Sequence, residues 1–219
     1  MKFDKTIIEK LREELRQPLP GEEAQYRMAP PYRPNLSKQD ILQMNPRVSG
    51  VMVLLYEKND LLNLVFTQRK TYEGVHSGQM SFPGGKKDEG DVDLIQTALR
   101  ETEEEVGVTK NKIEVIGSLS ELYIPPSNFL VHPTVGFAES VSDFMPQETE
   151  VEKVVEIPVS FFLDSNNINL KTEIKIFNGN VVQVPAYIYQ EHIIWGATAI
   201  MLSEFTFIIE RIINNNYSQ

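Results

Sequence analysis

The feature that most constrains this chain is the stretch from 82 to 108, a Gly-Gly-Lys-Lys turn that leads into an amphipathic segment. Apolar side chains recur there at helical spacing, which predicts a helix with one buried side. Asp91 or Asp93 stands where an N-cap or first-turn acid belongs. Gly107 stands where a left-handed residue ends a helix. The stretch therefore predicts a capped helix that packs against a core.

Three glutamates of this helix, Glu101, Glu104 and Glu105, are spaced i, i+3 and i+4, so they fall on one face. Like charges at this spacing repel each other and lower helix stability. A bound divalent cation removes the repulsion, and carboxylate ligands in a chain without cysteine favour Mg²⁺ or Mn²⁺. The alternative is a solvated acidic face, with Arg100 as a neighbouring surface charge.

The turn before the helix favours the metal-binding interpretation. Gly84 and Gly85 supply backbone N–H groups, and Lys86 and Lys87 supply ammonium groups, directly ahead of the acidic face. Backbone N–H groups and positive charges next to metal ligands suit a phosphate and a cation bound together.

The run from Arg100 to Val108, Arg-Glu-Thr-Glu-Glu-Glu-Val-Gly-Val, resembles the Nudix box, whose core reads R-E-x-x-E-E-x-G followed by an aliphatic residue. The resemblance implies hydrolysis of nucleoside diphosphates linked to another group, with Mg²⁺ or Mn²⁺. The usual box has a glycine, five residues, a glutamate, seven residues and then the arginine. Here Asp91 takes the place of the glutamate after Gly85, and the spacer before Arg100 is one residue longer. This departure weakens any role for Asp91.

The altered spacing and residues 97–101 also resemble one branch of the family, the coenzyme A pyrophosphatases. Upstream, residues 67–69, His76 and residues 82–85 resemble the signature that precedes the box in that branch, although Lys70 stands where a small residue is usual. The resemblance implies coenzyme A or an acyl-CoA as the small-molecule diphosphate substrate, with 3′,5′-ADP and a 4′-phosphopantetheine as products. The alternatives are hydrolysis of another diphosphate, such as ADP-ribose or a dinucleotide, and a catalytically silent Nudix-like sensor or interaction module.

Individual roles follow from these patterns. We expect Glu101, Glu104 and Glu105 to be metal ligands, and one of them is available as a general base. Arg100 would orient one glutamate through a charge-assisted hydrogen bond. Arg69 is the candidate phosphate contact, because a guanidinium binds phosphate oxygens in a bidentate fork; a surface arginine at a strand end is the alternative.

A second group of candidates comes from the loops. Lys70, Gly84, Gly85 and Lys86 are available to bind the substrate phosphates, and the Gly85 carbonyl is a further candidate metal ligand. By resemblance, Glu150 matches an acid that some family members add to the metal site. The alternative for Glu150 is a solvated acid at the end of an acidic loop.

Composition limits the partners of the chain. Its net charge of −10 over 219 residues disfavours nucleic acid and anionic membranes. The absence of cysteine excludes disulfides, a thiolate nucleophile and a zinc–thiolate site. The start lacks a signal-peptide core, and the most apolar stretch, 193–202, is too short to span a bilayer. We therefore expect a cytoplasmic protein.

Alternating strand and helix patterns predict an α/β fold. Predicted helices cover 3–16, the box, and about 194–213, and predicted strands cover 48–56, 62–69, 112–123, 129–138, 170–177 and 181–189. Pro133 predicts that its strand lies near a sheet edge or a bulge. The resemblance implies a Nudix-type α/β/α sandwich with a mixed, partly curled sheet between the box helix and the C-terminal helix.

We expect one Nudix domain over residues 1–219, with an N-terminal helix and a proline-rich arm in residues 1–47. The arm offers a surface for a homodimer interface, and the sequence leaves the oligomeric state open.

Overall fold

The computed structural model of the chain describes residues 4–70, 78–141, 143–176 and 179–216. Its α-helices in these ranges are α1 Thr6–Glu14, α2 Glu22–Gln25, α3 Lys38–Gln43, α4 Leu94–Val106, α5 Val159–Phe162 and α6 Gly196–Asn216. Its strands are β1 Arg47–Lys58, β2 Leu61–Arg69, β3 Met80–Ser81, β4 Gly84–Lys86, β5 Ile113–Ser118, β6 Leu122–Ile124, β7 Phe129–Ala138, β8 Val151–Pro158, β9 Ile168–Lys175, β10 Val181–Tyr189 and β11 His192–Trp195.

The main sheet is mixed and is built around β1. β1 pairs in parallel with β7 and antiparallel with β2 and β4. Beyond these neighbours, β3 and β8 pair with β2, and β5 and β6 pair with β7. A separate antiparallel sheet has the order β11-β10-β9. The predicted α/β class and mixed sheet are confirmed.

Side chains of β1 alternate between two apolar layers, which explains its nearly continuous apolar sequence. Met52 and Leu54 belong to the layer that contains Ala98 of α4. Val53 belongs to the layer that contains Leu202 of α6. The box helix and the C-terminal helix therefore cover opposite faces of the sheet, as the α/β/α sandwich requires.

The connections show where the sequence was informative. The predicted turn between β1 and β2 is confirmed, and its central residues Asn59 and Asp60 have φ angles of 54° and 60°. The strand predicted over 112–123 is divided into β5 and β6. For Pro133, the expected edge position is wrong, because β7 lies between β1 and the pair β5 and β6, but the alternative of a nearby bulge agrees with a register shift in β5 opposite Val135 and Gly136. Pro133 instead lies opposite the break between those two strands, where a missing N–H disturbs no continuous ladder.

A buried carboxylate joins the N-terminal arm to α6. Glu204 is fully buried. It accepts hydrogen bonds from the Gly21 backbone N–H at 3.1 Å, Gln25 Nε2 at 2.9 Å and Ser120 Oγ at 2.6 Å. A buried carboxylate is tolerated when several donors satisfy it. These bonds fix the start of the arm, and with it the chain that leads to the functional site.

In the ranges described above, α6 and every other helix are too short or too polar to cross a membrane.

Replacing Glu204 by alanine should lower the free energy of unfolding by about 3 kcal/mol, because one buried and two partly buried donors lose their acceptor. The matched control is Glu210→Ala on the same helix, whose half-exposed carboxylate faces Arg27 at 3.9 Å. The control should cost roughly 0.5 kcal/mol or less. Urea unfolding of both variants measures the difference, and equal losses would contradict the role given to Glu204.

Candidate active site

The box helix α4 begins and ends as its sequence predicts. Asp93 is the N-cap, and its side chain accepts a hydrogen bond from the Gln96 backbone N–H at 2.8 Å. Gly107 ends the helix in the left-handed conformation with a φ of 77°. These two ends set the length of the helix that carries the carboxylates.

The short glycine-rich strand β4 lies directly on the acidic face of α4. The Gly84 N–H donates to Glu105 Oε2 at 3.1 Å. A Cβ atom on Gly85 would stand 2.3 Å from Glu101 Oε1. On the other side, a Cβ atom on Gly50 of β1 would stand 2.3 Å from the Leu94 carbonyl oxygen of α4. Only residues without a side chain allow the helix and both strands to approach this closely.

The two inner glutamates carry their charge in a buried environment. Glu105 is 2% exposed. Burial raises its pKa to about 7, although Arg69, with Nη2 4.0 Å from Glu105 Oε1, favours the ionised form. Burial also raises the pKa of Glu101, against the opposing effect of Arg100. Added positive charge at this position would therefore favour ionisation of both carboxyl groups.

Arg100 organises the polar side of the site. Its Nε and Nη2 atoms donate to the two carboxylate oxygens of Asp91 at 3.0 and 2.9 Å. Its Nη1 atom donates to Glu101 at 2.9 Å and to Glu104 at 3.1 Å, so the expected hydrogen bond to a glutamate is present. Asp91 also accepts from Thr97 Oγ1 at 2.9 Å. Arg100 holds the pKa of Asp91 well below its usual range.

Sequence reasoning missed this positioning role of Asp91. The residue lies in the loop before α4, and the loop folds back so that the carboxylate meets Arg100 nine positions further on. The altered spacing of the box had counted against Asp91, and a single sequence carries no other signal for a contact between a loop and a helix.

The loop after β7 brings a further acid to the site. Its backbone bonds to the last turn of α4, from the Met145 N–H to the Val106 carbonyl at 3.0 Å and from the Gln147 N–H to the Glu105 carbonyl at 3.1 Å. Glu150 then lines the same cleft as the glutamates of α4. Its negative charge contributes to the raised pKa of Glu105.

The predicted phosphate-binding residues separate into two groups. Arg69 lines the cleft, with Nη2 3.4 Å from the Gly84 carbonyl oxygen, and Lys86 lines it as well. Lys70 does not line the cleft, and its backbone N–H donates to the Glu150 carbonyl at 3.0 Å. His76 lies outside the described residues.

The cleft has a volume of about 900 Å³ and two chemically different regions. One end holds the carboxylates and Arg69. The other region, which we call the far lobe, is lined by parts of the arm and by the turn after β6, including Tyr32, Arg33, Pro126 and Phe129. Trp195 and Met201 line the cleft as well, and Thr198, which lies between them in sequence, donates to the Met80 carbonyl oxygen of β3 at 3.0 Å. Sequence reasoning did not place any of these residues at the site, because they are distant in sequence and lack a recognisable motif.

The donors at the carboxylate end fit a hard divalent cation. The described residues contain no group of three acidic or histidine side chains that could hold a metal ion as they stand. Glu101 and Glu104 instead share Arg100, while Glu101 and Glu150 each oppose ionisation of Glu105. Mg²⁺ and Mn²⁺ prefer carboxylate oxygens as ligands. A cation bound among these carboxylates would also offset their mutual repulsion. A cation here would take over part of the role of Arg100.

A mixed sheet between two helical layers, with a glycine-rich strand against a helical carboxylate cluster, defines the fold and site of a Nudix hydrolase. The family model described as NUDIX domain matches residues 46–175, and the chain belongs to that family.

Relatives and solved structures agree with this assignment. The chain is 36% identical over 141 residues to an uncharacterised Nudix hydrolase NudL of Photorhabdus laumondii, covering 64% of this chain and 74% of that protein. It is 31% identical over 167 residues to human mitochondrial coenzyme A diphosphatase NUDT8, covering 75% of this chain and 70% of that protein. A MutT/nudix family protein from Enterococcus faecalis has a similar fold, with a TM-score of 0.50, 18% identity, and coverage of 95% and 76% of the two chains.

Replacing Gly85 by alanine should weaken Mn²⁺ binding by about tenfold or more, since the new methyl group would displace the Glu101 carboxylate. Gly90→Ala is the matched control, because a Cβ atom there meets nothing within 4 Å. Calorimetric titration of both variants with Mn²⁺ measures the effect, and circular dichroism checks that both are folded. Wild-type affinity in Gly85→Ala would show that the Glu101 position does not matter for the cation.

Proposed function

We propose that this protein hydrolyses the diphosphate bond of coenzyme A or an acyl-CoA, giving 3′,5′-ADP and 4′-phosphopantetheine or its acyl derivative. The observation that carries the proposal is a single cleft in which a carboxylate cluster adjoins a large apolar lobe. A substrate with a central diphosphate and a bulky group on each side suits a cleft of this kind. Similarity to the human coenzyme A diphosphatase supports the same substrate class.

In this proposal the carboxylates hold the cofactor. Glu101 and Glu105 are the principal ligands, Glu104 shares the role of ligand or general base, and the Gly85 carbonyl and Glu150 complete the set. When bound, Mg²⁺ or Mn²⁺ neutralises the diphosphate charge and lowers the pKa of the attacking water. Hydrolysis of a diphosphate leaves little covalent work for side chains, so positioning and charge neutralisation dominate catalysis.

The positively charged residues orient the reacting groups. Arg69 stands beside Glu105 and presents its guanidinium to diphosphate oxygens in the cleft. Lys86 adds a second positive charge at the same end. Arg100 contacts Glu101 and Glu104 and is itself fixed by Asp91, so it acts as a positioning residue rather than as a substrate contact.

The substrate is tested by incubating the purified protein and Mg²⁺ or Mn²⁺ with coenzyme A or, separately, ADP-ribose, and identifying the products by mass. We expect 3′,5′-ADP from coenzyme A, its loss on chelation of the metal, and mostly intact ADP-ribose. Cleavage of ADP-ribose alone would support the hydrolase activity and contradict the assignment of coenzyme A as the substrate. No turnover of either would favour another diphosphate or a silent module.

Glu105→Gln should lower kcat by about three orders of magnitude, since the amide keeps the shape but loses the negative charge that binds the cation. Its carbonyl oxygen still accepts from the Gly84 N–H, so the free energy of unfolding should change little. Glu103→Gln, on the same helix but outside the cleft lining, is the matched control and should keep nearly full turnover. A kcat close to the wild-type value in Glu105→Gln would contradict the assignment of Glu105 as a metal ligand.

A further inference from the structure

The far lobe contains an arginine whose hydrogen-bonding capacity is only partly used. Arg33 Nη2 donates to the Tyr123 carbonyl oxygen at 2.8 Å. Its Nε atom is buried and has no hydrogen-bond partner among the described residues. No acidic side chain in the described part of the chain forms an ion pair with Arg33. A guanidinium thus lines a mainly apolar lobe without a counter-charge.

Such an arrangement is unfavourable unless an anion completes it. A buried donor without an acceptor and a charge without a partner both cost free energy. The chain carries 31 acidic residues against 21 lysines and arginines, yet none of the acids in the described ranges pairs with Arg33. The Arg33 guanidinium carbon also stands 5.8 Å from the Tyr26 ring centroid, which is within the range of a cation–π contact.

The turn next to Arg33 carries one more donor at the cleft. Ser127 Oγ, at the end of the turn after β6, is buried and has no hydrogen-bond partner in the described chain. Arg47 Nη2 donates to the Ser127 carbonyl oxygen at 2.8 Å, and its guanidinium lies 4.1 Å from the Phe129 ring centroid. Arg33 and Ser127 line the cleft, whereas Arg47 lies outside its lining and holds the turn in place. A guanidinium and a hydroxyl at one turn are donors suited to a phosphate.

The position of this turn relative to the carboxylates sets the distance that a ligand must span. β4, β1, β7 and β6 are successive neighbours in the sheet, and Ile124 at the end of β6 lies three residues further along the strands than the position level with Gly85, so the two points are roughly 17 Å apart. Ser49, Val51 and Val131 form the floor between the two sides. We place the diphosphate at the carboxylate end, and the Arg33 side chain reaches in from the β6 side. The space that remains between them suits one sugar ring with a phosphate group on each side.

We propose that Arg33, assisted by Ser127, forms a second anion subsite that binds a phosphomonoester of the substrate. The inference rests on the proposed function and deepens it: the group bound there is the 3′-phosphate of the adenosine part of coenzyme A. Arg33 is thus a specificity residue that distinguishes substrates with this phosphate from those without it. It comes from the N-terminal arm, outside the residues 46–175 that the family model matches.

The test compares ligands that differ only in this phosphate. We measure kcat/KM for coenzyme A and dephospho-coenzyme A, and by calorimetry the binding of 3′,5′-ADP and 5′-AMP. The wild-type protein should prefer the 3′-phosphorylated member of each pair by about 10- to 100-fold. Arg33→Ala should remove most of this preference and leave dephospho-coenzyme A turnover and 5′-AMP binding nearly unchanged. Arg33→Lys should retain part of it, because it keeps the charge but not the fork.

Arg27→Ala is the matched control, since Arg27 belongs to the same arm but lies over Phe207 at 4.4 Å and outside the cleft lining. It should keep both preferences. A lower Tm in Arg33→Ala with unchanged preference would mean that Arg33 only tethers the arm to Tyr123, and this result overturns the subsite. Wild-type protein that fails to discriminate 3′,5′-ADP from 5′-AMP overturns it too. Arg33-dependent binding of 3′,5′-ADP without turnover of coenzyme A would overturn the proposed function and retain the subsite.

Discussion

The structure depends on the close approach of three backbone segments at the glycines. A Cβ atom on Gly84 would stand 2.5 Å from the Gly50 carbonyl oxygen, and one on Gly85 would overlap the Glu101 carboxylate. Because glycine has no Cβ atom, β4 fits between β1 and the acidic face of α4. The Gly84 backbone N–H therefore reaches Glu105. The same contact that packs the helix on the sheet therefore also positions the carboxylates.

Electrostatics at the site reflect a balance between repulsion and positioning. Burial of Glu105 and the neighbouring charges of Glu101 and Glu150 disfavour its ionised form. Asp91 holds Arg100, and Arg100 holds Glu101 and Glu104, so these acids stay in place although they repel each other. In the proposed function, Arg69 and a bound cation reverse the local charge, so that a strongly acidic chain accepts a polyanionic substrate.

Much of the fold was predictable because its signals are local. The box helix has its N-cap, apolar stripe and left-handed glycine within one short stretch, and the hairpin of β1 and β2 has its turn residues between two apolar runs. The division of the strand predicted over 112–123 and the central position of Pro133 were not predictable, since each depends on which strands become neighbours. The last two residues of the short strand β11, Ile194 and Trp195, were likewise assigned to the last helix, because they continue directly into α6.

The sequence by itself determined the family, the α/β class and the helical face that carries Glu101, Glu104 and Glu105, because these follow from residue types at fixed spacing. Only the tertiary structure decided that Asp91 fixes Arg100, that the loop after β7 brings Glu150 to the cleft, and that Lys70 lies outside the cleft lining. It also decided that Arg33 of the arm faces the same cleft. The physical reason is that these contacts join segments distant in sequence, and chain packing rather than local periodicity sets such distances.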